Sequence, residues 1–172
     1  MFNINDYVVY GSNGVCKIQD IKKEKNIGGI EEDYYILVPI YNERMTIKTP
    51  VNNPRVLMRE VLTKDEVMEL IKLMAKNEVV DIEDIKKRNE AFRIGLRSGD
   101  GEELIKIINS IKLEKKEKEA LGKKLNKTEE DIMVNARKQL YQEFSIALNI
   151  DFDDVKEYVL NNLSCTIKDN CI

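Results

Sequence analysis

The chain has no histidine, no tryptophan, three prolines and three cysteines in 172 residues. Without histidine it lacks the commonest general base, the Ser-His and Cys-His nucleophile pairs and the commonest metal ligand. Cys16, Cys165 and Cys171 form no CxxC pair, so neither a disulfide framework nor a zinc site is expected. Cys16 falls at an alternating strand position and reads as a small buried hydrophobe, the other two as thiols in a polar tail. The longest apolar run, residues 34–41, has eight residues and includes a proline, far short of the ~20 needed to span a bilayer. The start, Met-Phe-Asn-Ile-Asn-Asp, has neither a basic region nor an apolar signal core, and a cytoplasmic location is expected. Carboxylates are spread over helix surfaces, and the cluster Asp151, Asp153 and Asp154 begins a helix, where the dipole favours acids. No metal or cofactor is expected, and an enzyme is disfavoured.

What is present divides at Thr63. Before it, residues 7–10, 15–21, 34–40, 45–49 and 55–59 carry the β-branched and aromatic enrichment of short strands. Gly11-Ser12-Asn13-Gly14 supplies a tight connection. Because a strand follows it, it reads as a turn and not as a phosphate cradle. Gly28-Gly29 marks the tip of a longer hairpin arm, and Pro50 with Asn52-Asn53-Pro54 stops the fourth strand. Five such strands are the number for a small barrel, which removes its edges by closing.

After Thr63 every apolar pattern has helical period. Thr63 and Glu66 form a capping box, followed by Val67, Leu70, Ile71 and Met74 on one stripe. Asp81 can cap a second helix that ends at Gly99, with Ile85, Phe92 and Leu96 aligned. Leu104, Ile105, Ile107, Ile108 and Ile111 make a third, which continues into a polar run. Asn126 or Thr128 opens a fourth, with Ile132, Ala136, Leu140, Phe144 and Leu148 inward. Asp151 caps a fifth carrying Val155, Tyr158 and Val159, and the tail over 165–172 is expected to fray. Single apolar stripes must pack on one another, so the expected fold is α+β with two domains: a five-stranded barrel over 1–60, then an all-α bundle of about five helices over 61–172.

Net charge is −3, yet the charge is segregated. Lys and Arg outnumber Asp and Glu by five to one over residues 86–97 and by seven to three over 112–127, whereas residues 128–172 hold four against nine. Local basic segments in an acidic chain suit phosphate contact, although lysine-rich helix surfaces are the ordinary explanation.

The order Asp6-Tyr7-Val8-Val9-Tyr10, Gly14-Val15, Tyr34-Tyr35-Ile36-Leu37 and Met45-Thr46-Ile47-Lys48-Thr49-Pro50 resembles the CarD/CdnL family of bacterial transcription regulators. So do Lys87-Arg88, Leu96-Arg97-Ser98-Gly99-Asp100 and Ala136-Arg137-Lys138-Gln139-Leu140 further on. The resemblance implies a Tudor-like amino-terminal module that binds the RNA polymerase β subunit, partly by strand addition, and a helical domain that contacts promoter DNA at the upstream edge of the bubble. Carried over, the polymerase-binding residues are Lys25, Ile27, Ile47 and Lys48, with Asn26 in the same arm. The DNA-binding residues are Ile85, Lys86, Lys87 and Arg88. Ile85 stands where many family members have a tryptophan wedge. It reads equally as a wedge or as core, since it aligns with Phe92 and Leu96. Glu90 and Glu130 stand where family members commonly have basic residues, which thins the DNA footprint.

The resulting expectation is a non-enzymatic regulator that tethers to RNA polymerase and tunes open-complex stability. It would be a monomer when free, with no membrane and no small-molecule substrate among its partners. The alternative is a polymerase-binding adaptor whose helical domain recruits another protein.

Overall fold

A computed structural model describes residues 1–169 apart from Asn26, with side chains as far as residue 163. Cys171 and the side chain of Cys165 lie outside the described residues. The chain forms two compact units, Met1–Val61 and Leu62–Ile172, each with its own apolar core.

The first unit is a five-stranded antiparallel sheet of β1 (Tyr7–Tyr10), β2 (Val15–Lys25), β3 (Glu31–Pro39), β4 (Ile47–Pro50) and β5 (Met58–Glu60), in the order β4-β3-β2-β1-β5. The β1–β2 connection is a single 3-10 turn in which Gly11 and Gly14 take φ of +47° and +71°, values that disfavour a side chain. Alternation puts Val8, Tyr10, Cys16, Ile18, Tyr35 and Leu37 into one buried cluster. A register shift between Ile18 and Asp20 is the kind of irregularity that sharpens local twist.

The sheet does not close into a barrel: β4 and β5 are its two edges. These edges have four and three residues, too few to sustain a ladder of their own. The sheet curls nevertheless. Tyr10 on β1 lies three strands from Thr49 on β4, roughly 14 Å across a flat sheet, yet the Tyr10 hydroxyl donates to Thr49 Oγ1 at 2.9 Å. The Asn53 side-chain amide donates to the same oxygen at 2.9 Å and to the Tyr10 hydroxyl at 3.2 Å. Buried Tyr10 and Thr49 and half-buried Asn53 thus link across the curl where a closed barrel would use backbone bonds.

The second unit contains α1 (Lys64–Ala75), α2 (Ile85–Ser98), α3 (Gly101–Ala120), α4 (Lys127–Leu148) and α5 (Phe152–Asp169). Each of the first four begins at a side-chain cap. Thr63 and Glu66 form the expected capping box, Asn126 and Glu129 form a second, and Asp100 caps α3. Asp84, not Asp81, caps α2 by accepting from Lys87 N at 2.8 Å. Both aspartates are competent caps, and the preceding Ile82 N to Val80 O turn delays the helix by one turn. Helical backbone in α5 extends to Asp169, into the stretch read as a tail. The core unites Phe92, Leu104, Ile107, Ile111, Ala136, Leu140, Phe144 and Val155, and full burial of one large apolar side chain contributes about 1.5–3 kcal/mol. A Cβ on Gly95 would lie 2.8 Å from Ile107 Cδ1, so the missing side chain lets α2 settle closely on α3.

Candidate functional site

In the first unit the sequence-derived site residues fall on β4 and on the β2–β3 arm. Because successive strand residues face opposite sides, Ile47 and Lys48 do not share a surface. Ile47 packs against the buried cluster, while Lys48 points outward, with its side chain 43% exposed. There it pairs with Glu24 and sits over the Tyr34 ring, 4.7 Å from the centroid. A pair this exposed contributes only about 0–1 kcal/mol, so it orients the ammonium without holding the fold. As the last strand of the sheet, β4 pairs with β3 alone, which leaves its outer row of N–H and C=O groups for a further strand. The arm extends the β2–β3 ladder to the Lys25 and Glu31 pair. Lys25 is exposed at its end, and Ile27 at the tip is fully exposed. Asn26 lies outside the described residues.

In the second unit the candidates gather at the start of α2. Ile85 is 60% exposed, which decides between its two readings in favour of the surface. Its seven-residue spacing from Phe92 gives the same angle around the helix but a displacement of roughly 10 Å along the axis, and the core ends before reaching it. Replacing Ile85 with alanine is therefore expected to cost under about 1 kcal/mol in a thermal melt, where a core site would lose 2–5 kcal/mol.

Lys86 and Lys87 are exposed beside it. The first turn of α2 contains no acidic residue, and lysines there oppose the positive end of the helix dipole, so they do not serve helix stability. Arg88 corrects the expectation that the three cations face outward together. Its side chain is only 19% exposed, its Nη2 donates to Glu114 at 2.8 Å, and its guanidinium lies 5.9 Å from the Phe92 ring centroid. This arginine braces α2 against α3. The outer face of α2 instead adds exposed Arg93 and Arg97 around Ile94, which is 59% exposed.

Beneath this surface lies a charge network that sequence reasoning missed. Lys118 donates to Glu114 at 2.9 Å and to both oxygens of Glu129, at 2.9 and 2.7 Å. Arg88, Glu114, Lys118 and Glu129 thus join α2, α3 and α4. Burial pushes the Glu129 carboxyl up, but the Lys118 ammonium and the Asn126 N–H outweigh it and hold it below the ordinary glutamate value. Glu129 and Glu114 in turn raise Lys118. The one sequence signal was Glu129 three residues after Asn126, which is legible as a cap but silent about Lys118. In the second basic segment Lys115 pairs with Glu119 and Lys127 with Asp131, so part of that charge is neutralised locally.

Asp153 and Asp154 occupy the first turn of α5, and Asp154 N donates to Asp151 O, as a helix start requires. Among the described residues, no three His, Cys, Asp or Glu converge to hold a metal. Among the same residues, no helix is long and apolar enough to cross a membrane.

Residues 2–62 match the family model for the CarD-like/TRCF RID domain. The match coincides with the sheet unit and stops short of the helices, so the motifs on α2 and α4 lie beyond it. No curated protein matches the chain.

Proposed function

We propose that the chain is a non-enzymatic transcription regulator, because residues 2–62 match the CarD-like/TRCF RID domain. It binds the polymerase β subunit through its first unit, contacts promoter DNA through the start of α2, and thereby tunes the stability of the open complex. The observation that carries this reading is the unpaired edge of β4 within the matched segment, with Lys48 held on its outer face by Glu24 and Tyr34. Strand addition takes affinity from main-chain hydrogen bonds and specificity from alternate side chains. On β4 that makes Lys48 the reader of an acidic partner, with Ile47 fixing the strand from the inner face. Lys25 and Ile27 extend the contact along the arm.

On the DNA side, Ile85 would press an aliphatic face against an unstacked base step while Lys86 and Lys87 engage phosphates. Stabilisation of the melted state then requires only that these contacts be stronger in the open complex than in the closed one. Arg88 drops out of the phosphate set because Glu114 holds it. The reduced set, with Ile94 exposed on the same helix, favours a second reading in which α2 recruits another protein to the polymerase.

Salt dependence separates the two readings. Replacing Lys86 and Lys87 by alanine in the full chain should leave its melting unchanged and reduce the slope of log K against log salt by about 0.9 per lost phosphate contact, measured on polymerase–promoter complexes. A slope equal to that of the unmodified chain would support the protein-recruiting reading. Ile85→Trp should lengthen open-complex lifetime, because the indole offers a larger apolar face, and a lifetime unchanged in a folded variant would refute the wedge.

A further inference from the structure

The first unit contains a cavity of about 1050 Å³ between the start of β3, the end of β4 and residues 51–57. Its floor is apolar: Phe2, Val51, Val56 and Met58 pack there against the buried cluster that contains Tyr35. The polar atoms beneath are satisfied among themselves. The Tyr35 hydroxyl accepts from Phe2 N at 2.9 Å, and Tyr10, Thr49 and Asn53 bond to one another. Hence the floor presents hydrocarbon without orphaned donors.

The mouth has a different chemistry. Glu31 and Asp33 stand two residues apart on β3, on the same face as Tyr35, which places their carboxylates roughly 7 Å apart on the cavity side. Glu32 also lines the wall, Arg55 is the one cationic side chain there among the described residues, and exposed Leu57 forms part of the rim. A site of this volume, at the upper end of the range for ligand pockets, is too large for an ion or a single side chain. Its acidic mouth over an apolar floor complements a cation attached to hydrocarbon.

We propose that this cavity is a peptide-binding site that takes a short segment of a partner protein, with an apolar residue on the floor and a neighbouring lysine or arginine between Glu31 and Asp33. The segment's backbone crosses the rim at Leu57. This goes beyond the polymerase contact proposed above, since it uses none of Lys25, Ile27, Ile47 and Lys48, although Glu31 pairs with Lys25 at the end of the same ladder.

The test is amide chemical-shift mapping on the isotopically labelled full chain, with an acetylated and amidated pentapeptide Gly-Lys-Leu-Lys-Gly as probe. Its counterparts Gly-Glu-Leu-Glu-Gly and Gly-Lys-Ser-Lys-Gly serve as controls. The lysine-leucine peptide should shift Asp33, Tyr35, Val51, Asn53 and Leu57, and bind at least fivefold more tightly than either control. Glu31→Gln with Asp33→Asn should remove that preference, Glu31→Gln alone should weaken it, and Lys48→Glu should leave it intact. Equal shifts from the acidic peptide, shifts spread over other acidic surfaces, or a preference that survives the double substitution in a folded protein would overturn the proposal. Failure of the unmodified chain to retain the polymerase β subunit, with peptide binding preserved, would count against the polymerase reading alone.

Discussion

Charge reversal at Lys48 is expected to abolish capture of the polymerase β subunit while leaving the melting temperature of the protein nearly unchanged. The fold depends little on this side chain. Lys48 sits on the outer face of an edge strand, and its ion pair with Glu24 is more than two-fifths exposed on both sides, so its loss costs less than about 1 kcal/mol. The proposed interface would depend on it far more, because a strand added to β4 would cover Lys48 and remove water from its ammonium. A glutamate there would face the acidic partner and stand beside Glu24. Losing one partner of a desolvated charge pair costs about 2–5 kcal/mol, a weakening of some thirtyfold or more. The measurement is retention of the β subunit by immobilised full-length variant, with thermal unfolding in parallel, and undiminished retention by a folded Lys48→Glu variant would remove Lys48 from the interface.

A second large effect is expected at Lys118, and it should exceed the effect of removing its partner. Glu129 is 2% exposed and Lys118 25%. Lys118→Met leaves a buried carboxylate with only the Asn126 N–H, close to the range of about 3–5 kcal/mol found when a buried pair is broken from one side. For a unit of this size that is a fall of more than roughly 10 °C in melting temperature. Glu129→Gln leaves a lysine that keeps Glu114 and reaches water, and glutamine can still close the capping box, so the cost should be nearer about 1 kcal/mol. The pH dependences have opposite signs. In the unmodified chain the depressed Glu129 contributes stability that is complete above the ordinary value of 4.5 and disappears as pH falls through the lower folded value. In Lys118→Met the Lys118 contribution is gone and burial, the largest influence on Glu129, outweighs the Asn126 N–H and raises its pKa, so the deficit is full at neutral pH and shrinks as pH falls toward 4.5. Equal losses for the two variants, or a Lys118→Met deficit that does not change with pH, would contradict this account.

The elements written in local chemistry were legible before any coordinates. Thr63 with Glu66, the Gly11 to Gly14 turn and the stop at Gly99 each depend on residues within four positions. The spacing of Ile132, Ala136, Leu140 and Phe144 likewise placed the buried stripe of α4. What escaped depends on distance along the chain. The start of α2 was ambiguous because Asp81 and Asp84 are equally good caps, and a preceding turn selects between them. The outer part of the β2–β3 arm carries charge on both faces, so it has no alternation to read, and its ladder alone defines it. Barrel closure could not be inferred from strand count, since it requires two short edges to meet. Arg88 read as a surface cation because Glu114, which holds it, lies 26 residues away. Ile85 shared the angle of Phe92 but not its depth along the helix.

Apolar burial in α3 stops at Ile111, and Leu113, the one large apolar side chain beyond it in the helix, is 48% exposed. From there to Ala120 the helix is held by Glu114 and Lys118. One helix therefore contains two regimes of protection against hydrogen exchange. Amides up to Ile111 should exchange only when the whole unit unfolds, whereas those beyond it should exchange by local opening. Added salt screens the ion pairs and should quicken only the second group. Each such opening should also release the guanidinium of Arg88 from Glu114, so the start of α2 would gain and lose a mobile cation in step with the breathing of a neighbouring helix.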